Sequence, residues 1–308
     1  MLWVIVILLA AVPLVGGYLF FRLCMRRAVP DYWDEAELAR FGSARKQEIL
    51  SGKAWLEGRR FDPVWTRSDD ERRLDGVLLP RRRPKGTVLC FHDCRASWKL
   101  DFSGVARFLH EQGYQLLLID QRAHGRSKGR CITYGVWERF DVRAWVSFAA
   151  ERYGEERPLY LYGKGMGATA ALMASALELP GNVRGIIAEG GFTSPYRFLE
   201  HTLSARWKWP AVRPLLALLN AYTSLIVGFG LRDRSADEDV RESPYPILLI
   251  HGEADEEVPV ETARQILAEI PGKKRLLAVE GAGHGAAHAV APELVEGAVA
   301  EFLEEHLI

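Results

Sequence analysis

The chain has 308 residues, 48% hydrophobic and 26% charged, with 28 Gly and 15 Pro. That mix suits a globular chain and excludes collagen-like, coiled-coil or disordered material. Forty Lys+Arg offset forty Asp+Glu, so no charge excess supports a nucleic-acid partner. Four cysteines with no CxxC or Cys/His cluster are too few for a disulfide scaffold or structural zinc, and read as free thiols in a reducing compartment.

Residues 2–21 carry no charge: LWVIVILLAAVPLVGGYLFF. Twenty residues of helix at ~1.5 Å each span ~30 Å, the thickness of a bilayer hydrocarbon core. A cleaved signal peptide fits less well, because no basic residue precedes the run and it ends in Tyr-Leu-Phe-Phe rather than an A-x-A site. Arg22, Arg26 and Arg27 follow directly, so the positive-inside rule puts the larger C-terminal part in the cytoplasm. The expectation is a single-pass anchor with its basic flank over 1–27, bound to membrane through 2–21. A juxtamembrane helical segment over 28–60 follows, with helices at 34–41 and 44–50, and then one domain over 61–308.

Within that domain short apolar runs fall at 63–66, 74–79, 87–92, 114–119, 159–162, 183–188, 247–251 and 275–279. Helix-length segments at 102–112, 136–152, 167–177, 260–269 and 292–307 separate most of them. An antiparallel start feeding strand–helix alternation predicts an α/β fold: a mostly parallel eight-stranded sheet with helices on both faces. The stretch from about 193 to 245 has no clear strand, only helix-like segments at 196–207 and 212–231. It reads as an apolar lid over a pocket, in preference to a second membrane span, because Asn220, Thr223 and Ser224 interrupt its apolar run.

Four motifs carry chemistry. Leu89-Cys-Phe-His-Asp-Cys-Arg-Ala-Ser97 is a strand ending in a polar turn, and Asp120-Gln-Arg-Ala-His-Gly-Arg-Ser127 is a second such turn. Leu161-Tyr-Gly-Lys-Gly-Met-Gly-Ala168 runs from a strand into a helix. His251-Gly-Glu-Ala-Asp-Glu-Glu-Val-Pro259 and Glu280-Gly-Ala-Gly-His-Gly285 follow the last two strands.

In this order the motifs resemble the α/β-hydrolase fold family, of the serine esterase and aminopeptidase kind, over residues from about 60 to the end. The resemblance implies that Asp255 and His284 are the acid and base of a catalytic triad, and that the backbone N–H groups of Cys94 and Met166 form the oxyanion hole. It implies that Asp120, Arg122 and His124 order a loop. It also places Gly165 where the elbow G-x-S-x-G carries its nucleophile, and a glycine has no side chain with which to form an acyl-enzyme. Asp93 departs too: it stands where relatives have glycine, and a carboxylate there is unhelpful unless it points away. Neither Thr169, Ser175, Ser97 nor Ser127 is placed to substitute, and Cys94 is expected to act through its backbone.

Two readings of function follow. In one, the chain is a membrane-anchored hydrolase-fold protein that is catalytically impaired or binds a ligand without turning it over. In the other, it is a serine hydrolase in which Gly165 replaces the nucleophile. The expected ligand is a small acyl, ester or lipid-like molecule, with no cofactor and no metal.

Overall fold

The computed structural model describes residues 2–28, 38, 42–207 and 212–307; the side chains of residues 2–10, 12, 13, 206 and 207 are also outside the description. The first helix, α1 (Leu2–Met25), contains the charge-free run, about half of which therefore lies outside the described side chains. Among the described residues no helix is long and apolar enough to cross a membrane. The expected helix at 34–41 lies, apart from Leu38, outside the described residues. Its neighbour forms α2 (Ser43–Glu57). This helix runs past the expected end at residue 50 because Leu56 is buried in the core on one face of the sheet.

Eight strands build one sheet: β1 (Asp62–Arg67), β2 (Arg73–Leu79), β3 (Thr87–Phe91), β4 (Gln115–Ile119), β5 (Leu159–Lys164), β6 (Val183–Glu189), β7 (Ile247–Gly252) and β8 (Lys274–Val279). Their order is β1-β2-β4-β3-β5-β6-β7-β8. The β1–β2 and β2–β4 pairs are antiparallel and every later pair is parallel. Period-two alternation sorts the strands' side chains into two cores. Leu89, Phe91, Leu117, Ile119, Leu161 and Leu249 face one side. Val88, Cys90, Leu116, Leu118, Tyr162 and Ile250 face the other.

Helices cover both faces. On one side lie α2, α3 (Ser103–Glu111) and, at the chain's end, α9 (Pro292–Glu305); on the other lie α4 (Glu138–Tyr153), α5 (Met166–Ala174) and α8 (Glu261–Glu269). The reason α4 binds its face is legible in its spacing. Val142, Trp145, Val146 and Ala149 recur at helical intervals and are all fully buried. Gly154, with φ 104°, then ends the helix in a conformation other residues resist.

Between β6 and β7 the insertion forms α6 (Pro195–Trp207) and α7 (Val212–Ile226), which stops at Ile226 rather than residue 231. With the end of α1 these helices make a third apolar cluster above the carboxyl ends of the strands. It joins Phe20, Phe21 and Met25 to Leu216, Leu219 and the elbow residue Met166. Gly17 lets α1 approach α7 closely at Leu218, and the Tyr222 hydroxyl donates to the Leu14 carbonyl at 2.7 Å. Beyond α1 the backbone is stitched to the 120s loop: Ala28 N–H donates to Ala123 O at 2.9 Å and Ile132 N–H to Met25 O at 2.8 Å.

Candidate active site

The site forms where the parallel strands end, at the turns after β3, β5, β7 and β8. After β5, Gly165 takes φ 50° and ψ −116° and starts α5. Glycine occupies this left-handed conformation without the steric cost a Cβ brings. Two residues on, Gly167 lies flat against the end of β3, where a Cβ would strike the Phe91 carbonyl. The elbow thus keeps its strand-to-helix geometry without a nucleophile's side chain.

After β7, Asp255 is held by its own turn. Its Oδ1 accepts from the N–H groups of Glu257 and Val258 at 2.9 Å each. Its Oδ2 is left to face His284 Nδ1 at 2.7 Å. This is the arrangement expected of a triad acid and base, in which the carboxylate fixes the imidazole's orientation. His251 lies 3.6 Å from the same carboxylate, but its Nε2 is 2.7 Å from the Val258 carbonyl and burial lowers its pKa.

The other side of His284 holds the departure from expectation. Its Nε2 lies 3.1 Å from Asp93 Oδ2. Asp93 does not point away from the oxyanion site; its carboxylate is in it. Oδ1 accepts from the N–H groups of Cys94 and Met166, at 2.6 Å each. These are the two donors the resemblance assigns to the oxyanion hole, and both are occupied from within the chain. A Cβ built on Gly165 would overlap the carboxyl carbon and both oxygens of Asp93. One carboxylate therefore fills the volume of a nucleophile's side chain and takes the hydrogen bonds of an oxyanion.

The electrostatics are those of an imidazole between two carboxylates. Burial disfavours the imidazolium, but the hydrogen bonds and charges of Asp255 and Asp93 carry the pKa of His284 well above its ordinary value. Burial likewise opposes the charge on Asp93, yet the hydrogen bond and charge of His284, with the two N–H donors, hold it below the usual carboxylate value. The reverse holds for Cys94. Burial, then the neighbouring Asp93 charge, push its thiol up, so it offers a backbone donor and no thiolate.

Supporting residues lock Asp93 in place. Its N–H donates to Asp101 Oδ2 at 2.7 Å, and its carbonyl lies 2.7 Å from His92 Nδ1. Arg45, from α2, spans 3.1 Å to Asp101 and donates to the His284 carbonyl at 2.5 Å. The sequence reading missed Asp101 and Arg45, whose link to the site exists only across the fold. His124 is buried and neutral, its pKa lowered to about 3 by burial; its Nε2 accepts from Arg95 N–H at 2.9 Å. Arg122 grips Asp141 through two bonds of 2.5 and 2.6 Å, and Asp120 accepts from Arg126 N–H at 3.0 Å. These three residues order loops, as the resemblance implies. Thr169 is turned to the Gly165 and Phe192 carbonyls, Ser175 bonds within its helix, Ser97 caps the turn Trp98–Asp101, and Ser127 bonds Asp75 N–H.

A cavity of about 800 Å³ opens onto Asp93, Cys94 and His284. Among the described residues its wall mixes charged Arg45, Arg95, Asp101 and Glu257 with apolar Ala44, Leu100 and Val290, and takes none from the insertion. The apolar face of α7 is spent on α1 and the cluster around Met166 instead. Arg95 also ties this loop to α1, donating to the carbonyls of Leu23 at 2.5 Å and Cys24 at 2.9 Å.

A parallel sheet with an elbow, an acid and a base at its carboxyl edge defines a hydrolase-type α/β protein. Comparison with known proteins agrees. The family model for serine aminopeptidases (S33) matches residues 82–226, and that for TAP-like proteins matches residues 231–306. The chain belongs to the α/β-hydrolase fold family. It is 25% identical to protein YqkD of Bacillus subtilis (strain 168), covering 74% of this chain and 73% of that one. It is 27% identical to protein Rv2307c of Mycobacterium tuberculosis (strain H37Rv), covering 77% and 75%. Among solved structures, the Pyrococcus furiosus esterase Pf2001 superposes with a TM-score of 0.68 at 22% identity, over 92% of this chain and 98% of that one. The α/β hydrolase GrgF from a Penicillium species gives 0.62 at 19%, over 80% and 99%.

Proposed function

We propose that this chain is a membrane-tethered α/β-hydrolase-fold protein in which the serine route is closed and the reacting centre is the array Asp93–His284–Asp255. One observation carries the reading: the Asp93 carboxylate fills the space that a side chain on Gly165 would need, and it holds both oxyanion donors. An ester carbonyl entering the site has to displace a charged internal ligand before it can be polarised. The same overlap speaks against a simple exchange of serine for Gly165, because the surroundings are built to a glycine. It also makes the expected acyl or ester ligand a poor fit at the oxyanion donors.

Support for the tether comes from the uncharged run 2–21, the arginines that follow it, and the described half of α1. Leu14, Val15, Tyr18, Leu19 and Leu23 form an exposed apolar ridge there, and Leu225 and Ile226, at the end of the helix packed on α1, are exposed as well. A bilayer is the medium that covers such a ridge, with the domain on the cytoplasmic side.

The test is aryl-ester hydrolysis by the full chain, its Gly165→Ser and Asp93→Gly variants, and the double variant. The native chain and both single variants are expected to be silent. Gly165→Ser/Asp93→Gly gains an activity that His284→Ala abolishes. Full activity in Gly165→Ser alone would show that Asp93 does not block the serine position and sink the reading.

A further inference from the structure

The described part of α1 changes character along one face. Val15, Tyr18, Leu19, Arg22 and Arg26 share that face by helical spacing, and all are exposed. The stripe is apolar as far as Leu19 and basic from Arg22 onward. With Leu19 at the edge of a hydrocarbon core, a rise of ~1.5 Å per residue puts Arg22 ~4.5 Å and Arg26 ~10 Å beyond it. A headgroup layer is roughly 5–8 Å deep on each side of a bilayer, so both long side chains reach it.

The fold brings a third cation to the same place. Arg26 pairs with Cys131 in an antiparallel bridge, and Arg27 N–H donates to Arg130 O at 3.0 Å. Burial raises the pKa of the Cys131 thiol, and the charges of Arg72, Arg22 and Arg130 oppose that rise, so these guanidinium groups stand around one half-buried cysteine. Arg22, Arg26 and Arg130 differ from their neighbours in having no carboxylate partner among the described residues; Arg22 has only the Tyr18 hydroxyl, at 3.5 Å. The nearby carboxylates are taken. Asp70 lies 2.5 Å from Arg72 and 3.3 Å from Arg122, and Glu138 accepts from the N–H groups of Thr133 and Gly135 at 2.9 Å each. Arg27 and Arg95 are spent on carbonyls, of Ser127 and Gly129 in one case and of Leu23 and Cys24 in the other.

Three uncompensated guanidinium groups at the end of an apolar stripe match a layer of phosphate anions above a hydrocarbon core. Guanidinium donates parallel N–H bonds to phosphate oxygens, and an anionic leaflet attracts it over a Debye length of ~10 Å. A zwitterionic headgroup carries its own cation and offers less. We infer that Arg22, Arg26 and Arg130 dock on the headgroups of anionic phospholipids in the leaflet that holds α1, an inference that rests on the tether proposed above. None of the three lines the cavity at Asp93 and His284, so the lipid is held as a ligand and not as a substrate.

The test titrates the full chain in nonionic detergent with phosphatidylglycerol or phosphatidylcholine and counts retained lipid by native mass spectrometry. Phosphatidylglycerol is expected to be retained more strongly, and raising the salt should erase the difference. Arg22→Gln/Arg26→Gln/Arg130→Gln should weaken phosphatidylglycerol retention on the order of 10²-fold, about fivefold for each arginine, and leave phosphatidylcholine unchanged. Equal retention of the two lipids by the native chain overturns the inference; that result would follow if Asp31, Asp34, Glu35 and Glu37, next in sequence, neutralised the arginines. Native-like retention by the triple variant, shown to be folded by circular dichroism, overturns it too. So does displacement of the lipid by glycerol phosphate at equal concentration, which would make the ligand a free phosphate ester. Alkaline carbonate extraction from mixed phosphatidylcholine–phosphatidylglycerol vesicles separates the inference from the tether beneath it. If the chain stays with the vesicles while the two lipids are retained equally, the tether stands and only the headgroup contact is lost. If carbonate releases the chain, the tether fails and the inference fails with it.

Discussion

The two halves of the site differ in what they preserve. The half built by the turns after β7 and β8 carries Asp255 and His284 in the relation a serine hydrolase requires, 2.7 Å apart with the carboxylate fixed by two backbone donors. The half built by the turns after β3 and β5 departs from the motif pattern the sequence resembles. The turn after β5 has glycine at position 165, and the turn after β3 puts the Asp93 carboxylate in the space beside it. The two departures are complementary in volume, since either alone leaves a hole or a clash. On the function proposed above, the site's geometry is kept while its chemistry differs, because backbone donors belong to the fold while the nucleophile belongs to one residue.

The largest effect should come from exchanging both residues for those of the pattern the sequence resembles. Gly165→Ser/Asp93→Gly is expected to raise aryl-ester hydrolysis above the native chain by on the order of 10²-fold or more, with His284→Ala returning it to background. Assay of the native chain, the two single variants, the double variant and its His284→Ala derivative side by side decides it.

Next in size is the cost of undoing only half. Gly165→Ala places a Cβ on the Asp93 carboxylate at a positive φ, and urea unfolding should show a loss of about 2–4 kcal/mol from combined overpacking and backbone strain. Adding Asp93→Gly should recover the steric part. A native-like midpoint for Gly165→Ala would show that Asp93 is free to swing aside.

The pH dependence tests whether the array is charged. The folded pKa of Asp93 is lowered, so its stabilisation is present above the unfolded value of about 3.9 and is lost as pH falls through the folded value. The folded pKa of His284 is raised, so its contribution is complete below about 6.5 and is lost as pH rises through the folded value. Asp93→Asn should flatten both limbs of the stability–pH curve and move the His284 imidazole resonances to titrate at lower pH. Unchanged titration of His284 in that variant would show that the two groups do not interact.

Smaller effects test the supports. Arg45→Ala removes the donor to the His284 carbonyl and the partner of buried Asp101, and should cost about 1–3 kcal/mol in urea unfolding. At the exposed apolar side chains, an environment-sensitive fluorophore at Leu225→Cys should shift to the blue and be quenched by brominated lipid in vesicles, as one at Leu19→Cys should. Quenching at residue 19 alone would leave α1 in the bilayer and the end of α7 outside it.

Local patterning along the chain accounts for the elements and their order. Alternating strands with a two-residue period and helices with a 3.6-residue period are short-range signals, and the eight strands form where their apolar runs fall. The same is true of the positions of Gly165, Asp255 and His284 at strand ends, because their motifs are short and contiguous. A signal for Asp93 was present as well: a carboxylate where a glycine is expected and a glycine where a side chain is expected, in two separate turns. That the two belong together emerged only on folding, since residues 93 and 165 meet when β3 and β5 lie side by side in the sheet. The reach of Arg45 from α2 to Asp101 and the His284 carbonyl, and the docking of α7 on α1 instead of over the cavity, likewise have no local signal. Short-range patterns fix which face of an element is apolar. Which partner that face finds, and which side chain enters a cavity, depends on packing between segments far apart in the chain.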